Sequence, residues 1–532
     1  RLGAPGAAAG ACRGCLRLAA DPELPVRVQA SMALRAFLER EEDEEVRSVV
    51  LEDIAGLLER LLRTLAEVQC EAVAETMEAL VSRFPREIVP YAAQLVGQLS
   101  AQFCQMAAAG EEDEEAGNAA MGSMQTIASV LQACSCLKDA RNAEEQQRRA
   151  CLFAGLSEQL LPMLQRLLRP DGLDFLEEAL ELLAYLTLYS PSPLSPSLWS
   201  LFPQLFQSVC GRPTASLPLP EPLKEGWAPD FMSNLLPPLE NYVCRGPPGA
   251  FLSGQWAEAG LSYPEMVFGI FRKVVNMPGV GSEEDCASAA QLAVAVFSSV
   301  PQPGADAWMP RYFEELWRRL ASAESQALRR AALAAFAAML WYGAQAFLRC
   351  TEERQCTRQV FELWMQHVGL VRSLADRKLL VLGLLRLLQL ACAQQSLPDA
   401  VALGLPHLMQ QLAAQSRELV RLRAKRDAGG EESDDEALDE DGGGQDGGED
   451  GSDDDFDGLD DDDYGSSGRA VAERCSPLDG VDELGLLCQT LRQAPPPVQQ
   501  QVDAWLGQGA LVQLVAELEA EAQRAAAAAA AA

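Results

Sequence analysis

The residues that could do chemistry are few. Two histidines, His367 and His407, are the whole imidazole supply of 532 residues. Neither lies near a Ser or Cys nucleophile motif, so general-base and nucleophilic catalysis have little to work with. His407, just after Pro406, reads as a surface or capping residue. Cys12-x-x-Cys15 is the one zinc-like pair, with no second Cys/His pair at a matching distance. Cys134 and Cys136, two apart on a helix, would face away from each other, so both pairs read as ordinary free cysteines. No Gly-x-x-x-x-Gly-Lys-Ser/Thr loop and no dinucleotide fingerprint occur, and Gly442-Gly443-Gly444 sits among acids that would repel a phosphate. The acidic stretch lacks the ligand spacing of an EF-hand. The expectation is no catalytic residue, no cofactor and no metal.

What stands out is charge. Glu111, Glu112, Asp113, Glu114 and Glu115 are consecutive, and residues 431–463 hold 19 Asp/Glu with no Lys or Arg. The formal net charge is −34, and −15 without that tract. Such a field repels nucleic-acid phosphates and anionic lipid and attracts basic proteins. The plain reading is solvated loops that keep a Leu-rich chain soluble. The functional reading is an electrostatic clamp for a basic partner, which speeds association and weakens with salt. Its candidate residues are Glu111 to Glu115 for contact, and Asp434, Asp435, Glu436, Asp453, Asp454, Asp455, Asp460, Asp461, Asp462 and Asp463 as a clamp in the tract.

The elements that must carry these runs are helices. Leu57, Leu61 and Leu65 recur at helical spacing, as do Leu176, Leu180, Leu183 and Thr187, and Leu380, Leu384, Leu387 and Leu388. No long period-2 alternation argues for a sheet. Periodicity and Pro/Gly punctuation place helices at 26–39, 46–66, 70–84, 88–109, 117–136, 146–169, 171–189, 196–210, 230–243, 263–277, 283–300, 305–322, 325–349, 353–373, 375–394 and 397–426, with shorter ones at 479–493, 498–507 and 510–525. Successive helices on short turns predict an all-α fold, an α-solenoid superhelix of HEAT type, with one irregular helical domain as the alternative. The array spans 1–426, the tract 427–468 is expected to be a disordered insertion because it has almost no apolar residue to bury, and 469–532 holds terminal helices and a polyalanine tail. Residues 212–229, rich in Pro and Leu, read as a loop. Fifteen scattered cysteines suggest a reduced, intracellular protein that uses Cys as a small hydrophobe. The start shows no secretory signal, and the lack of an initiator Met suggests a fragment. The apolar run 331–342 falls short of a membrane span, which needs about 20 residues.

Several segments, in order, carry a family resemblance. Glu23 to Leu34 (Glu-Leu-Pro-Val-Arg-Val-Gln-Ala-Ser-Met-Ala-Leu) is one, and Ile88-Val89-Pro90-Tyr91-Ala92 with the acidic run and Ala120 to Ile127 is the next. Pro196 to Phe206, Leu236 to Val243 and Asp376 to Leu384 follow, ahead of the acidic insertion. Together they resemble the C-terminal half of importin-β-type nuclear transport receptors, in the importin seven/eight (Ran-binding protein seven/eight) branch. The resemblance implies a karyopherin that carries basic cargo such as ribosomal proteins and histones through the pore, without catalysis. It implies contact with Phe-Gly nucleoporins and release by the small GTPase Ran in its GTP form, whose main site lies in N-terminal repeats absent here. It also implies partnership with importin-β in some cases, and residence in cytoplasm, nucleus and nuclear envelope. The role of touching cargo or Ran is carried over to Glu111–Glu115. No nucleic acid or membrane insertion is expected. The rival readings are an acidic chaperone of histones or ribosomal proteins, and an inert scaffold.

Overall fold

The computed structural model describes residues 7–40, 44–68, 70–109, 114–135, 143–212, 226–278, 282–371, 373–393, 397–427, 478 and 480–531. The described chain forms two compact units, one running to Val274 and one starting at Val275.

The first unit holds α1 (Ala7–Leu18), α2 (Leu24–Leu38), α3 (Glu44–Leu51), α4 (Ile54–Val68), α5 (Glu71–Arg83), α6 (Pro85–Ile88), α7 (Ala92–Ala109), α8 (Glu114–Ser135) and α9 (Ala143–Leu167). It continues with α10 (Leu176–Tyr189), α11 (Pro196–Trp199), α12 (Phe202–Cys210), α13 (Met232–Cys244), α14 (Pro248–Ser253) and nearly all of α15 (Tyr263–Val275). These stack in two layers. The helices α2, α5, α8, α10 and α13 follow one another in one layer, and α4, α7 and α9 in the other. This is the HEAT-type α-solenoid, each helix pair burying its apolar stripe against the next. All the Leu residues whose spacing predicted helix, together with Thr187, are buried.

Buried hydroxyls and amides tie the first layer. The Thr76 hydroxyl donates to the Ala72 carbonyl of its own helix at 2.8 Å and lies 3.2 Å from the Ser31 carbonyl of α2, and the Thr126 hydroxyl donates to the Gly122 carbonyl at 2.8 Å and lies 3.4 Å from the Ala74 carbonyl of α5. Asn241 Nδ2 donates to the Ala184 carbonyl and the Thr187 hydroxyl of α10 at 3.2 and 3.1 Å. Side chains this short let neighbouring backbones come close and satisfy polar groups that burial would otherwise leave costly.

The second unit repeats the plan with α16 (Glu283–Ser299), α18 (Gln326–Glu353), α20 (Leu374–Cys392) and α22 (Glu483–Gln493) in one layer. The other layer has α19 (Thr357–His367), α21 (Asp399–Asp427) and α23 (Pro496–Leu506), with α17 (Met309–Leu320) packed on α18 and α24 (Ala510–Ala531) packed on α22 and α23. A Cβ at Gly383 would stand 2.9 Å from the Ala337 carbonyl, so α18 and α20 approach to a distance that glycine allows. By length and composition α18 could cross a membrane, yet 83 % of its apolar window is buried inside the protein. Glu283, 2 % exposed, caps α18. Its carboxylate accepts from the Ser325 amide at 2.6 Å and the Glu324 amide at 3.1 Å, and pairs with Arg319 at 3.2 Å.

Differences from the sequence reading are local. The Gly/Ala-rich start folds as α1, because Ala9 and Cys12 find a buried face. Region 46–66 is two helices, α3 and α4, and 196–210 splits into α11 and α12. Two-residue strands β1 (Gln255–Trp256) and β2 (Leu261–Ser262) pair antiparallel in a minimal hairpin. The alanine tail is helical to Ala531, as alanine's propensity allows. The expected loop at 212–229 lies largely outside the described residues, and so does the acidic tract. Beyond the tract, Glu483 is fully buried between Lys378 (3.4 Å) and Arg423 (2.5 Å), fastening α22 to α20 and α21.

Burial works to raise the Glu283 carboxyl, but the Ser325 and Glu324 donors and Arg319 outweigh it and hold it below its usual value. A lowered folded pKa stabilises the fold above the unfolded value of 4.5, and that share is lost as pH falls through the folded pKa. Glu283→Gln should therefore cost about 3 kcal/mol at neutral pH, a deficit that shrinks in acid. Denaturant melts at pH 7 and pH 3 check this.

Candidate functional site

A helix with neighbours on both sides in its own layer, and a second layer beneath, has one open side. In the first unit the positions reaching solvent on that side can be read helix by helix. They are Glu71, Glu75, Glu78 and Ser82 on α5, and Asn118, Met121 and Gln125 on α8. On α10 they are Glu177, Glu178 and Glu181, and on α13 Ser233, Asn234 and Glu240. The helices α8, α10 and α13 carry no Lys or Arg at all, and α5 has only Arg83 at its last position. The second layer holds Arg60 and Arg63 on α4 and Arg148, Arg149 and Arg166 on α9. The same helices carry as many carboxylates, Glu59 and Glu67 on α4 and Glu144, Glu145 and Glu158 on α9, and α2 carries Arg27 and Arg35, so the acidic part is the open face of the first layer from α5 to α13.

This face holds a groove of about 350 Å³ across α2, α5 and α8. Glu39, Glu71, Glu75 and Glu78 line it with Arg35, and Met121, Gly122 and Gln125 line the α8 side. Glu71, Glu75 and Glu78 fall at i, i+4 and i+7, one stripe of α5, where like charges oppose helix formation. Arg35 offsets part of that repulsion, reaching Glu39 at 2.6 Å and Glu75 at 2.5 Å. Its hydrogen bond to Glu39, against the drag of burial and with help from Glu75, raises its pKa.

Crowding continues on α10. Burial first, then the charge of Glu178, push the Glu181 carboxyl up to about 7, and burial raises Glu178 as well. Two half-buried carboxylates one turn apart weaken the fold when ionised and are suited to an incoming ammonium or guanidinium.

The sequence-predicted residues fall partly here. Glu114 and Glu115 open α8, the helix that forms one wall of the groove. Glu111, Glu112 and Asp113 lie outside the described residues, as do Asp434, Asp435, Glu436, Asp453, Asp454, Asp455, Asp460, Asp461, Asp462 and Asp463. Sequence reasoning fixed on consecutive acids and missed the Glu71/Glu75/Glu78 stripe and the Glu178/Glu181 pair. Their signal was present as helical spacing together with basic-free helices. Among the described residues no group of His, Cys, Asp and Glu is arranged to hold a metal. His407 is exposed on α21, and Cys12 is buried beside the partly buried Cys15 on α1.

No model of a known protein family matches the chain. Among curated proteins it is similar to an importin beta-like SAD2 homolog of Arabidopsis thaliana, 28 % identical over 74 % of this chain and 35 % of that protein. A probable importin-7 homolog of Dictyostelium discoideum is 26 % identical over 77 % of this chain and 35 % of that one. Human importin-8 is 23 % identical over 72 % and 33 %. The chain therefore spans about a third of the length of the relatives it matches. Among solved structures, the exportin Cse1 in its cargo-free, cytoplasmic state superposes with a TM-score of 0.52 and 13 % identity, over 94 % of this chain and 47 % of that one. That likeness concerns the fold.

A raised folded pKa makes ionised Glu181 a liability. The penalty is absent below pH 4.5, grows between 4.5 and about 7, and is constant above. Glu181→Gln should accordingly melt higher than the parent at pH 8 and level with it near pH 4.5. Thermal melts across that range check the prediction, and a gain equal at all pH values contradicts it.

Proposed function

Since the chain belongs to the importin-β superfamily, we propose that it is part of a nuclear transport receptor that holds basic proteins on the acidic open face of its first unit. The observation that carries this reading is the acidic open face of the first layer from α5 to α13. Three successive helices of one layer have no cation, and the carboxylates of α5 and α10 occupy the positions that reach solvent. A Lys/Arg-rich surface would replace the missing cations and relieve the repulsion, and its affinity would fall with salt. We extend the proposal to the acidic run Glu111–Glu115, whose last two residues open α8, and, as a separate acidic source, to the tract acids Asp434, Asp435, Glu436, Asp453–Asp455 and Asp460–Asp463. The role is binding without catalysis.

The finer parts of the reading follow the relatives. Cargo of the ribosomal-protein or histone kind is suited to this face. Release by Ran-GTP, passage along Phe-Gly nucleoporins, cooperation with importin-β and shuttling between cytoplasm and nucleus belong to the whole receptor. The alternative is an acidic chaperone for the same basic proteins, which would ignore Phe-Gly repeats.

The test is a titration of the full chain with a lysine-rich peptide, beside Glu71→Gln/Glu75→Gln/Glu78→Gln. Three lost charge contacts at about 0.5 kcal/mol each amount to roughly tenfold weaker binding at low salt. Unchanged affinity would remove the groove from the reading. Retention of the chain on immobilised Phe-Gly repeats separates receptor from chaperone.

A further inference from the structure

The second unit carries the opposite charge in one place. Residues 372–378 and 417–427, around the start of α20 and the last turns of α21, hold eight Lys/Arg and three Asp/Glu in a chain of net charge −34. The structure brings these two ends together. Arg377 on α20 donates from a terminal guanidinium nitrogen to Gln415 Oε1 on α21 at 2.6 Å. Lys378 and Arg423 share the buried Glu483. Arg421, 77 % exposed, makes a local pair with Glu418 at 2.9 Å, and Arg417 meets Glu517 at 2.8 Å. Asp376 is the remaining carboxylate of the first turn of α20. Two features are left over. Arg377 Nε is buried without a hydrogen-bond partner, and the exposed Lys425 makes no ion pair among the described residues. Burial lowers the Arg377 pKa, Glu418 opposes this, and the like charge of Arg421 adds to it. The cluster therefore lacks negative charge.

We propose that the surface formed by Arg377, Arg421 and Lys425 is the docking site for the chain's own acidic segment 431–463. Charge is complementary in the extreme, with 19 carboxylates and no cation in the segment. The connection leaves little choice of distance. Glu431 is four residues past Asp427, the end of α21, and a chain reaches at most about 3.5 Å per residue, so its carboxylate starts within about 14 Å of the helix end. That is comparable to a Debye length of about 8–10 Å at physiological salt. Past the segment the chain returns to the same two helices, where Glu483, twenty residues beyond Asp463, fastens α22. A segment tethered at both ends beside the cluster acts at millimolar effective concentration, so weak individual pairs suffice. A basic partner must then compete with the cluster for the segment. The inference rests on neither the transport reading nor the groove of the first unit, and it stands or falls separately from them.

The test is the rate at which a glutamyl endopeptidase cuts within 431–463 in the folded full chain, measured at low and high salt beside a synthetic 431–463 peptide. Docking predicts that the full chain is cut several-fold more slowly than the peptide at low salt, and that the difference closes at high salt. Arg377→Gln/Arg421→Gln/Lys425→Gln should raise the rate towards that of the peptide, with Lys378 and Arg423 left to hold Glu483. Replacing the segment's Asp residues by Asn, which leaves the helices untouched, should do the same at its Glu sites. Cutting at the peptide's rate in the parent, or equal protection in the parent and both variants, overturns the proposal. Protection that grows with protein concentration assigns the site to a second copy's segment and overturns it too.

Discussion

The close approach of successive helices within one layer is the constraint on which this architecture depends. In the first unit Thr76, Thr126 and Asn241 each reach the backbone or hydroxyl of the preceding helix of the layer, a reach possible only when the axes are near. In the second, Gly383 lies against the Ala337 carbonyl, and α18 meets its neighbours with a run of alanines. Small residues at the contact keep the apolar core continuous, and the buried donors remove the penalty that a helix face of Ser and Thr would otherwise carry.

This packing also fixes where chemistry can be displayed. A helix hemmed in on three sides has one open face, and the only side chains that reach a partner are those on it. On α10 that leaves Glu177, Glu178 and Glu181 within the helix proper, plus Tyr189 at its end. Carboxylates placed there are partly desolvated by their neighbours, which is why Glu181 is pushed up to about 7. A fold selected for stability alone would not crowd acids at half-buried positions. Recognition of a basic partner gives the arrangement a use, since the partner supplies the charge that the fold omits.

The ion pairs divide into those that hold structure and those that dress a surface. Glu283 and Glu483 are buried, and each joins elements distant in sequence: Glu283 bonds the backbone that begins α18, while Glu483 sits between two cations from different helices. Removing either would strand charges away from water, a loss far larger than that of an exposed pair such as Arg358–Glu362. Beside Glu483 the same region keeps an excess of cations that the buried pair does not consume, and in this way charge of one sign collects at the end of α21.

Helix type, the leucine stripes and the two acidic runs were legible in the sequence because each is local: a period of 3.6 residues, or a count of like charges, needs no knowledge of what lies across the core. Leu57, Leu180 and Leu384 are buried where their spacing placed them. Local reading failed where the deciding neighbour is remote. The Gly/Ala-rich start became α1 because a second helix was there to cover Cys12, and 46–66 broke into two helices despite a continuous pattern. The candidate site divides in the same way. Glu71, Glu75 and Glu78 share a face by sequence alone. That this face opens beside α8, with Met121 at its wall and Glu178 and Glu181 in the same layer, was decided by packing, because a layer is built from helices about 50 residues apart in the chain and no periodicity encodes which side of each remains uncovered.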